Sequence, residues 1–486
     1  MSDLRRLAKH SSVYVLGNVL NRLGAFILLP LYTKNLSVSE YGVLEICYSL
    51  TAVIGVLVAA GLSHGTLRFY YEYEETSERN SVVTTNYAIL LTLCVVFMFS
   101  ISILSTQLAE HLLGDPGQVI AINLCLAILV FELTAEVPLA YLRAVERSAT
   151  FVVLALGKLV IQVTVSVYLV AYLRQGVQGV LTANLASSAT IWVFLLVTMV
   201  RACGSRIDIS KIRPVLAYTI PFALSGIVIA LRTNLDRYFI KEFVSIGDVG
   251  LYGLAVKFSM LLTLVVIEPF TRGYGPFRFS LMQRPEAAET QTQVVHCLFL
   301  VCILVGLGIA LFTPDILRVM TPSEFHKAAK VVPILLIGVA LEGFIYCFQT
   351  GLLFRKQTGS IFRISLMTLA ASVVLNVSLI PVLGISGAAL SFVLSQGAAA
   401  WLTNHASQKE FSIRYEFPAI VKVALLGAGF FLFGYVYIPD DVVTGVPLKI
   451  ALLIVFVFCS WKIDDMVGYL LTVTKNIVMG YVGAKH

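Results

Sequence analysis

Charged side chains are scarce in this sequence. Asp, Glu, Lys and Arg make up 13% of its 486 residues, about half of the roughly 25% that is typical of soluble globular proteins. Hydrophobic residues make up 58% of the chain, and the mean hydropathy is +0.88. A chain of this composition cannot cover several domains with a charged surface, which excludes an array of soluble domains.

Signatures of metal, nucleotide and thiol chemistry are also missing. None of the seven histidines begins an HExxH motif, and the chain contains no GxxxxGK[ST] loop. The eight cysteines are scattered without a CxxC pair, as expected of small apolar residues within helices. The sequence therefore predicts no metal, no cofactor and no ATP site. The net charge of +7 is explained by basic loops beside a membrane, so no nucleic-acid partner is expected.

Long apolar runs are what the sequence has instead. Runs of roughly 20 apolar residues are typical of membrane-spanning helices. We therefore expect an all-α integral membrane protein with about 14 transmembrane helices. The fourteen segments are about 11–33, 41–66, 84–106, 119–141, 150–173, 179–201, 215–237, 248–272, 293–314, 331–354, 362–383, 384–405, 417–438 and 447–470.

The basic residues predict which way the chain crosses the membrane. The first segment is too long for the apolar part of a cleaved signal peptide, so we expect it to be retained. An even number of spans puts both termini on one side. Lys and Arg in the loops favour that side by about three to one, which predicts that both termini are cytoplasmic. The loop at 315–330 is the exception, with three basic residues outside.

An internal repeat divides the segments into two sets of six. Residues match at an offset of about 208, a spacing that encloses six segments. An even number of spans inserts both copies the same way up. We predict an N-terminal lobe at 1–213, a C-terminal lobe at 214–413 and an extra helix pair at 414–486. The matched pairs are Lys34 with Lys241, Gly42 with Gly250, Gly65 with Gly275, Arg68 with Arg278, Arg147 with Arg355, and Gly179 with Gly387.

The same stretches resemble a known family. GNVLNRLGAFILLPLYTKNLSVSEYGVLEI, RTNLDRYFIKEFVSIGDVGLYGLAVKFS and GLLFRKQTGSIF are similar to helices and loops of the Wzx-type lipid-linked oligosaccharide flippases. That family belongs to the multidrug/oligosaccharidyl-lipid/polysaccharide exporter superfamily. The resemblance implies a MATE-like fold of two lobes in the bacterial cytoplasmic membrane. It also implies alternating access, an undecaprenyl-pyrophosphate-linked glycan as substrate, and polysaccharide polymerase or assembly proteins as candidate partners.

The seventh segment carries an unusual cluster of charges in ALRTNLDRYFIKEF (230–243). Arg232 and Asp236 are four residues apart on a helix, so they share a face and are predicted to pair. Arg237 points about a quarter-turn away, and the pattern predicts no partner for it. A charge at the bilayer centre costs about 2.5–3.5 kcal/mol on insertion scales, which favours a wet cavity or an ion partner for each of these residues.

Two further segments carry polar stripes. Asn18 and Arg22 lie one turn apart in the first segment, and Lys257 lies in the eighth. If these helices line the seam between the lobes, as the resemblance implies, the seam has a small positive charge. Arginine binds a pyrophosphate with two hydrogen bonds and lysine binds it as a point charge. Arg22, Asn18, Lys257, Arg232, Arg237 and Asp236 are therefore candidate substrate-binding residues, the alternative being that these charges pair and join helices.

Carboxylates in other segments are candidates for a coupling-ion site. Glu132 and Glu136 share a face of the fourth segment, Lys158 lies at a similar depth in the fifth, and Glu342 lies in the tenth. A buried carboxylate beside a cation can bind a proton or sodium. The alternative is an ion pair that joins two helices.

Two other functions fit parts of the pattern. An ion-coupled multidrug or cation antiporter of the same superfamily needs an acidic, aromatic cavity, which the basic residues of segments one, seven and eight argue against. A membrane-embedded glycosyltransferase or polymerase usually has a sizeable outer loop with catalytic residues, whereas the outer loops predicted here are short. We therefore expect a transporter and not an enzyme.

Both termini should lie in the cytoplasm. Reporter fusions after residue 10 and after residue 475 should both report the cytoplasmic side. A reporter on the outer side at one end alone would show that a span has been miscounted.

Overall fold

The computed structural model describes residues 24, 26–59, 61–282, 284–439 and 442–463, without the side chains of 222 and 442. Thirteen helices in these ranges are long and apolar enough to cross a membrane, and they correspond in order to segments two to fourteen. They are α1 Val38–Glu72, α2 Thr76–Ile103, α3 Pro116–Ala144, α4 Ser148–Tyr172, α5 Gly176–Cys203, α6 Ile209–Phe243, α7 Ile246–Ser280, α8 Ala287–Met320, α9 Val332–Phe354, α10 Thr358–Leu383, α11 Ile385–Glu410, α12 Phe417–Tyr437 and α13 Val443–Ile463.

Helices dominate because the hydrocarbon core offers no water to backbone groups. Each N–H and C=O must pair inside the protein, and a helix achieves this within one segment. Residues 26–35 are also helical and form the end of the first predicted segment, whose start lies outside the described residues. No strand occurs in the described ranges. The expected all-α membrane fold is confirmed.

Some helices are interrupted or ended by local sequence features. Wider π-helical turns occur at Ala109–Leu113, Val167–Tyr172 and Thr263–Ile267. Gly176 is the first residue of α5, and Gly384 directly precedes α11. Both have a φ of +57°, a conformation that costs glycine little. They occupy equivalent places in the two repeats, each after a helix and before the next.

A second turn is also repeated. Glu146 and Lys356 have φ values of +57° and +58°, which are unusual for residues with a Cβ. In the first turn, Arg147 N donates to Leu142 O at 2.9 Å; in the second, Gln357 N donates to Leu352 O at 2.8 Å. The equivalent of Arg147 is therefore Gln357, and the predicted match of Arg147 with Arg355 was wrong by two residues.

The loops after α5 and α11 are attached by the same type of bond. Thr84 Oγ1 donates to the carbonyl oxygen of Arg206, and Thr292 Oγ1 donates to that of Arg414 at 2.9 Å. Each pair is separated by the same number of residues. These matches support the internal repeat, while the lobe boundaries at 213 and 413 stay a prediction.

The chain forms two compact units, Met1–Gly250 and Leu251–His486. In the first unit, α3 packs against α2 and α5, and α1 packs along α6. Its central apolar cluster includes Ala135, Leu142, Leu154 and Leu195. Small and branched side chains on adjacent helices allow the close packing that replaces the hydrophobic effect inside a membrane.

In the second unit, α8 packs against α9, α12 and α13, and α10 packs against α11. The extra helices α12 and α13 are attached to α8 through a cluster of buried apolar side chains. The cluster consists of Leu300, Leu307, Leu311, Val423 and Phe456.

A buried ion pair joins α8 to α13. Lys449 Nζ lies 2.7 Å from Asp315 Oδ2, and the two residues are only 2% and 4% exposed. The predicted segments left Asp315 in a loop, which was wrong because α8 continues to Met320. Neutralisation by the partner is what allows each charge to lie inside a span.

Removal of Lys449 should destabilise the protein. Lys449→Met leaves Asp315 buried without its counter-ion, and breaking a buried pair this way costs about 3–5 kcal/mol. The double variant Lys449→Met/Asp315→Leu should recover most of that loss, since it removes both charges. The measurement is the yield and the thermal midpoint of detergent-extracted protein. Lys422→Met, at an exposed position of α12, is the control; a loss as large as that of Lys449→Met would contradict the prediction.

Candidate functional site

The charge cluster at 230–243 lies in the last third of α6, within the first unit. The side chains of Arg237 and Asp236 are only 11% and 14% exposed. Asp236 Oδ1 accepts hydrogen bonds from Arg237 N at 2.8 Å and from Arg237 Nη1 at 3.1 Å. The same Nη1 donates to Thr233 O at 3.0 Å. Arg237 therefore has a partner, contrary to the pattern-based expectation.

A polar contact joins this part of α6 to α1, and a second bond lies within α6. Ser49 Oγ of α1 donates to Asn234 O at 3.2 Å, and Asn234 Nδ2 donates to Ala230 O at 2.9 Å. Arg232 is half-buried on the same stretch of helix. Its predicted pairing with Asp236 stays a prediction. The cluster is thus built into a helix–helix contact and is not a loose loop.

The other predicted substrate-binding residues are distributed differently. Arg22 and Asn18 lie outside the described residues. Lys257 is half-buried in the part of α7 that belongs to the second unit. Farther along α7, Arg272 Nη2 pairs with Glu268 Oε1 at 2.6 Å. The structure brings Arg232, Asp236 and Arg237 together on one helix.

A polar cavity of about 400 Å³ lies inside the first unit, between α3, α4 and α5. Lys158 Nζ is 2.7 Å from Glu132 Oε1, and Ser188 Oγ donates to the same oxygen at 3.2 Å. Glu136 and Gln162 also line the cavity. In the part of the chain that the structure describes, no donor reaches the Glu136 carboxylate.

Among the described residues that line the cavity, carboxylates outnumber cations by one. The Lys158–Glu132 pair confirms the helix–helix ion pair that the sequence left as one alternative. Glu136 is the group that remains able to accept a proton or a metal cation. Glu342 lies on α9 in the second unit, so it is not part of this cavity.

A second cavity, of about 670 Å³, lies inside the second unit between α8, α9, α11 and α12. Its lining is aromatic and aliphatic, with Asn404 as its polar residue. The rings of Phe299 and Phe344 in this lining stack with their centroids 3.4 Å apart. Such a surface suits hydrocarbon and offers little to an ion.

Arg278 is a buried cation that the site prediction missed. It is 6% exposed, its Cζ lies 4.6 Å from the centre of the Tyr346 ring, and its Nη1 donates to Tyr346 O at 3.3 Å. Its repeat counterpart, Arg68, is exposed, and its Nε lies 3.9 Å from Glu72 Oε2. The match of Arg68 with Arg278 was visible in the sequence, but the difference in burial was not.

Comparisons with known proteins agree with this architecture. A family model described as "Polysaccharide biosynthesis protein" matches residues 7–283. The chain is 22% identical to a probable low-salt glycan biosynthesis flippase, Agl15, of Haloferax volcanii, over 85% of this chain and 86% of that protein. It is 20% identical to Lsg locus putative protein 1 of Haemophilus influenzae, over 59% of this chain and 69% of that protein.

Solved structures with the same fold are transporters. The lipid II flippase MurJ in an inward closed conformation superposes with a TM-score of 0.73 at 11% identity, covering 94% of this chain and 99% of that one. An inward-facing multidrug resistance MATE transporter of the MOP superfamily gives 0.66 at 14% identity, covering 82% and 96%. The likeness to these two transporters shows that this chain shares their fold. The chain belongs to the polysaccharide biosynthesis protein family and has the fold of the superfamily that includes the Wzx-type flippases.

Proposed function

We propose that this protein flips an undecaprenyl-pyrophosphate-linked oligosaccharide repeat unit across the bacterial cytoplasmic membrane by alternating access, for the synthesis of a surface polysaccharide. The observation that carries the proposal is the presence of Arg232, Arg237 and Lys257 inside helices that span the membrane. Cations at such positions are costly in lipid. An anionic headgroup that must cross the bilayer gives them a function.

The cations lie at similar distances along their helices from the turn between α6 and α7. Arg232 lies eleven residues before the end of α6 and Lys257 lies eleven residues after the start of α7, which is about 17 Å at 1.5 Å per residue. The two helix ends are joined by a short turn. Arg237 lies closer to that turn, at about 9 Å by the same rise. Each of these cations is proposed as a contact for the pyrophosphate.

The apolar cavity of the second unit supports a substrate with a long hydrocarbon part. Its volume of about 670 Å³ and its lining of Phe299, Phe344 and Trp401 suit a segment of polyprenyl chain, which has no polar group to satisfy. Partner enzymes of the same pathway, such as a polymerase, are part of this proposal.

An ion-coupled antiporter for cationic drugs is the second candidate, and the excess carboxylate in the first unit's cavity favours it. Efflux of a cationic dye separates the two functions. Dye efflux that depends on Glu136, without restoration of surface glycan, would support the antiporter and contradict the flippase.

Loss of the intramembrane cations should abolish flipping. A charge-assisted hydrogen bond is worth about 1.5–3 kcal/mol, so Arg22→Ala and Lys257→Ala should each reduce flipping about ten- to hundredfold. Arg22→Lys should be milder if charge alone suffices. Arg232→Ala should be milder, because the nearby Asp236 carboxylate offsets part of its charge. The measurement is surface glycan in a flippase-deficient strain.

Protein abundance in the membrane must be measured in parallel. Lys422→Ala is the matched control, because it also removes one cation from a span but at an exposed position of α12. Full activity of both Arg22→Ala and Lys257→Ala at normal abundance would show that these charges serve helix packing.

Glu136 should carry the response to the coupling ion. Glu136→Gln keeps the size of the side chain and removes its charge, so flipping should lose its dependence on external pH or sodium. Glu132→Gln leaves Lys158 without its partner and should reduce protein abundance, and Glu132→Gln/Lys158→Met should restore it. Glu342→Gln tests the remaining carboxylate in the second unit.

The readout is the rate of surface glycan appearance against pH and against sodium concentration. An unchanged response in the Glu132, Glu136 and Glu342 variants would exclude all three carboxylates as the coupling site. A changed response in Glu342→Gln alone would move that site to the second unit.

A further inference from the structure

The connection between α5 and α6, within the first unit, exposes two isoleucines. α5 ends at Cys203 and α6 begins at Ile209, so the residues between them lie at one surface of the membrane. Ile207 and Ile209 are 54% and 78% exposed. Large aliphatic side chains are unfavourable in water and favourable against an apolar partner. We refer to residues 204–213 as the α5–α6 segment.

The backbone directs both isoleucines to the same side of the segment. Asp208 has a φ of −115° and a ψ of 103°, which is an extended conformation. Alternate side chains of an extended chain point the same way, so Ile207 and Ile209 share one side and Asp208 points to the other. There Asp208 Oδ1 accepts hydrogen bonds from Ser210 N at 3.0 Å and from Ser210 Oγ at 2.6 Å. The segment therefore has an apolar side and a polar side.

Hydrogen bonds to α2 hold the segment in this conformation. Thr84 Oγ1 donates to the carbonyl oxygen of Arg206, and Asp208 N donates to Thr85 Oγ1 at 2.9 Å. These bonds fix the backbone on both sides of Ile207. A surface that is already ordered loses less entropy when it binds a ligand.

Three exposed arginines accompany the isoleucines. Arg201 lies at the end of α5, Arg206 lies between the helices, and Arg213 lies at the start of α6. Among the described residues, none of the three forms an ion pair. Lys211 differs from them, because it is 5% exposed and paired with Glu78. The arginines thus offer three guanidinium groups at the surface.

The equivalent positions in the second repeat are covered by protein. The repeat offset of 208 matches Ile207 with Tyr415 and Ile209 with Phe417. The rings of Tyr415 and Phe417 have their centroids 5.1 and 6.5 Å from that of Phe348, so they pack against α9 of their own unit. The exposure of the isoleucines is therefore specific to the first repeat and requires its own explanation.

An exposed strip on α5 indicates what lies beside the segment. Val193, Val197 and Val200 are 52%, 41% and 43% exposed, and their spacing places them on one face of the helix. An exposed apolar strip on a span is suited to lipid hydrocarbon. Arg201 directly follows this strip, at the depth where hydrocarbon gives way to headgroups.

We infer that the α5–α6 segment binds anionic phospholipids at the membrane surface. Ile207 and Ile209 insert at the boundary between headgroups and acyl chains, and the arginines bind the lipid phosphates. Guanidinium groups bind phosphate with two hydrogen bonds, and apolar residues flanked by basic ones attach to anionic bilayers. The predicted cytoplasmic location of the segment agrees with this ligand, because the cytoplasmic leaflet is negatively charged. The inference is independent of the proposed flippase function.

A fluorescent label on the segment tests this without a transport assay. Ile207→Cys protein is labelled with an environment-sensitive nitrobenzoxadiazole and reconstituted in phosphatidylcholine vesicles that contain about one third phosphatidylglycerol. Protein without the added cysteine measures the background from the eight native cysteines, which are buried or half-buried. Spin-labelled phosphatidylglycerol should quench the label more than spin-labelled phosphatidylcholine does, with an affinity ratio of about fivefold for each arginine engaged.

Two further measurements locate the effect. A label at Ile209→Cys should show the same preference, since both side chains share one side of the segment. A label at Ser77→Cys should show none, because Ser77 is exposed between Glu75 and Glu78 in the first turn of α2. The preference at position 207 should fall in about 1 M salt, where charges beyond roughly 3 Å are screened.

Variants of the basic residues separate a local site from the overall charge. Neutralising the three arginines of the segment should remove the preference at position 207. Neutralising three exposed cations of the second unit should leave it unchanged. The two variants are Arg201→Gln/Arg206→Gln/Arg213→Gln and Arg355→Gln/Arg363→Gln/Lys409→Gln.

Three results would overturn the inference. Equal quenching by the two spin-labelled lipids in the parent would show that the segment does not recognise lipid charge. Equal loss of preference in both triple variants would show an effect of overall charge and no local site. A label at position 207 that is shielded in native membranes but exposed to water in vesicles would show that a protein partner covers the isoleucines.

Discussion

The absence of water in the hydrocarbon core is the constraint on which this structure depends. Backbone groups satisfy it by forming helices. Charged side chains satisfy it by finding a partner at close range, because an isolated charge in lipid costs several kcal/mol. The described spans contain several such pairs, among them Asp236 with Arg237, Glu132 with Lys158, and Asp315 with Lys449. Charged groups outside such pairs are not neutralised in this way.

Glu136 and Arg278 are two charged groups outside these ion pairs. Glu136 lines a cavity beside an ion pair that is already complete, and Arg278 is buried against tyrosine and phenylalanine rings. An aromatic face attracts a cation but does not cancel its charge. Among the described residues, the cavity of the first unit thus holds a carboxylate beyond its ion pair, while the second unit holds a guanidinium that is stabilised by rings and a carbonyl oxygen. The two repeats share a backbone pattern and differ in their electrostatics.

The sequence predicted the order and number of helices well because every span must be apolar, and hydropathy measures that property directly. It failed at Asp315, which looks like a loop residue until its distant partner Lys449 is known. It failed for Arg237 as well, because helix-face reasoning looks four residues away and the actual partner is the adjacent Asp236. The pairing of Lys158 with Glu132 was an open alternative, since similar depth on consecutive helices does not fix side-chain contact. The cavities depend on how helices pack, which no single segment encodes.

The Asp315–Lys449 pair has a consequence for how the protein is made. Its partners are separated by 134 residues, and α8 leaves the ribosome long before α13 does. Until α13 is inserted, α8 must hold a carboxylate near one end of its span without the ammonium group that later neutralises it. The last helices therefore complete a charge balance begun much earlier in synthesis. A nascent chain stalled before α13 would present an unfinished α8 to the quality-control machinery of the membrane.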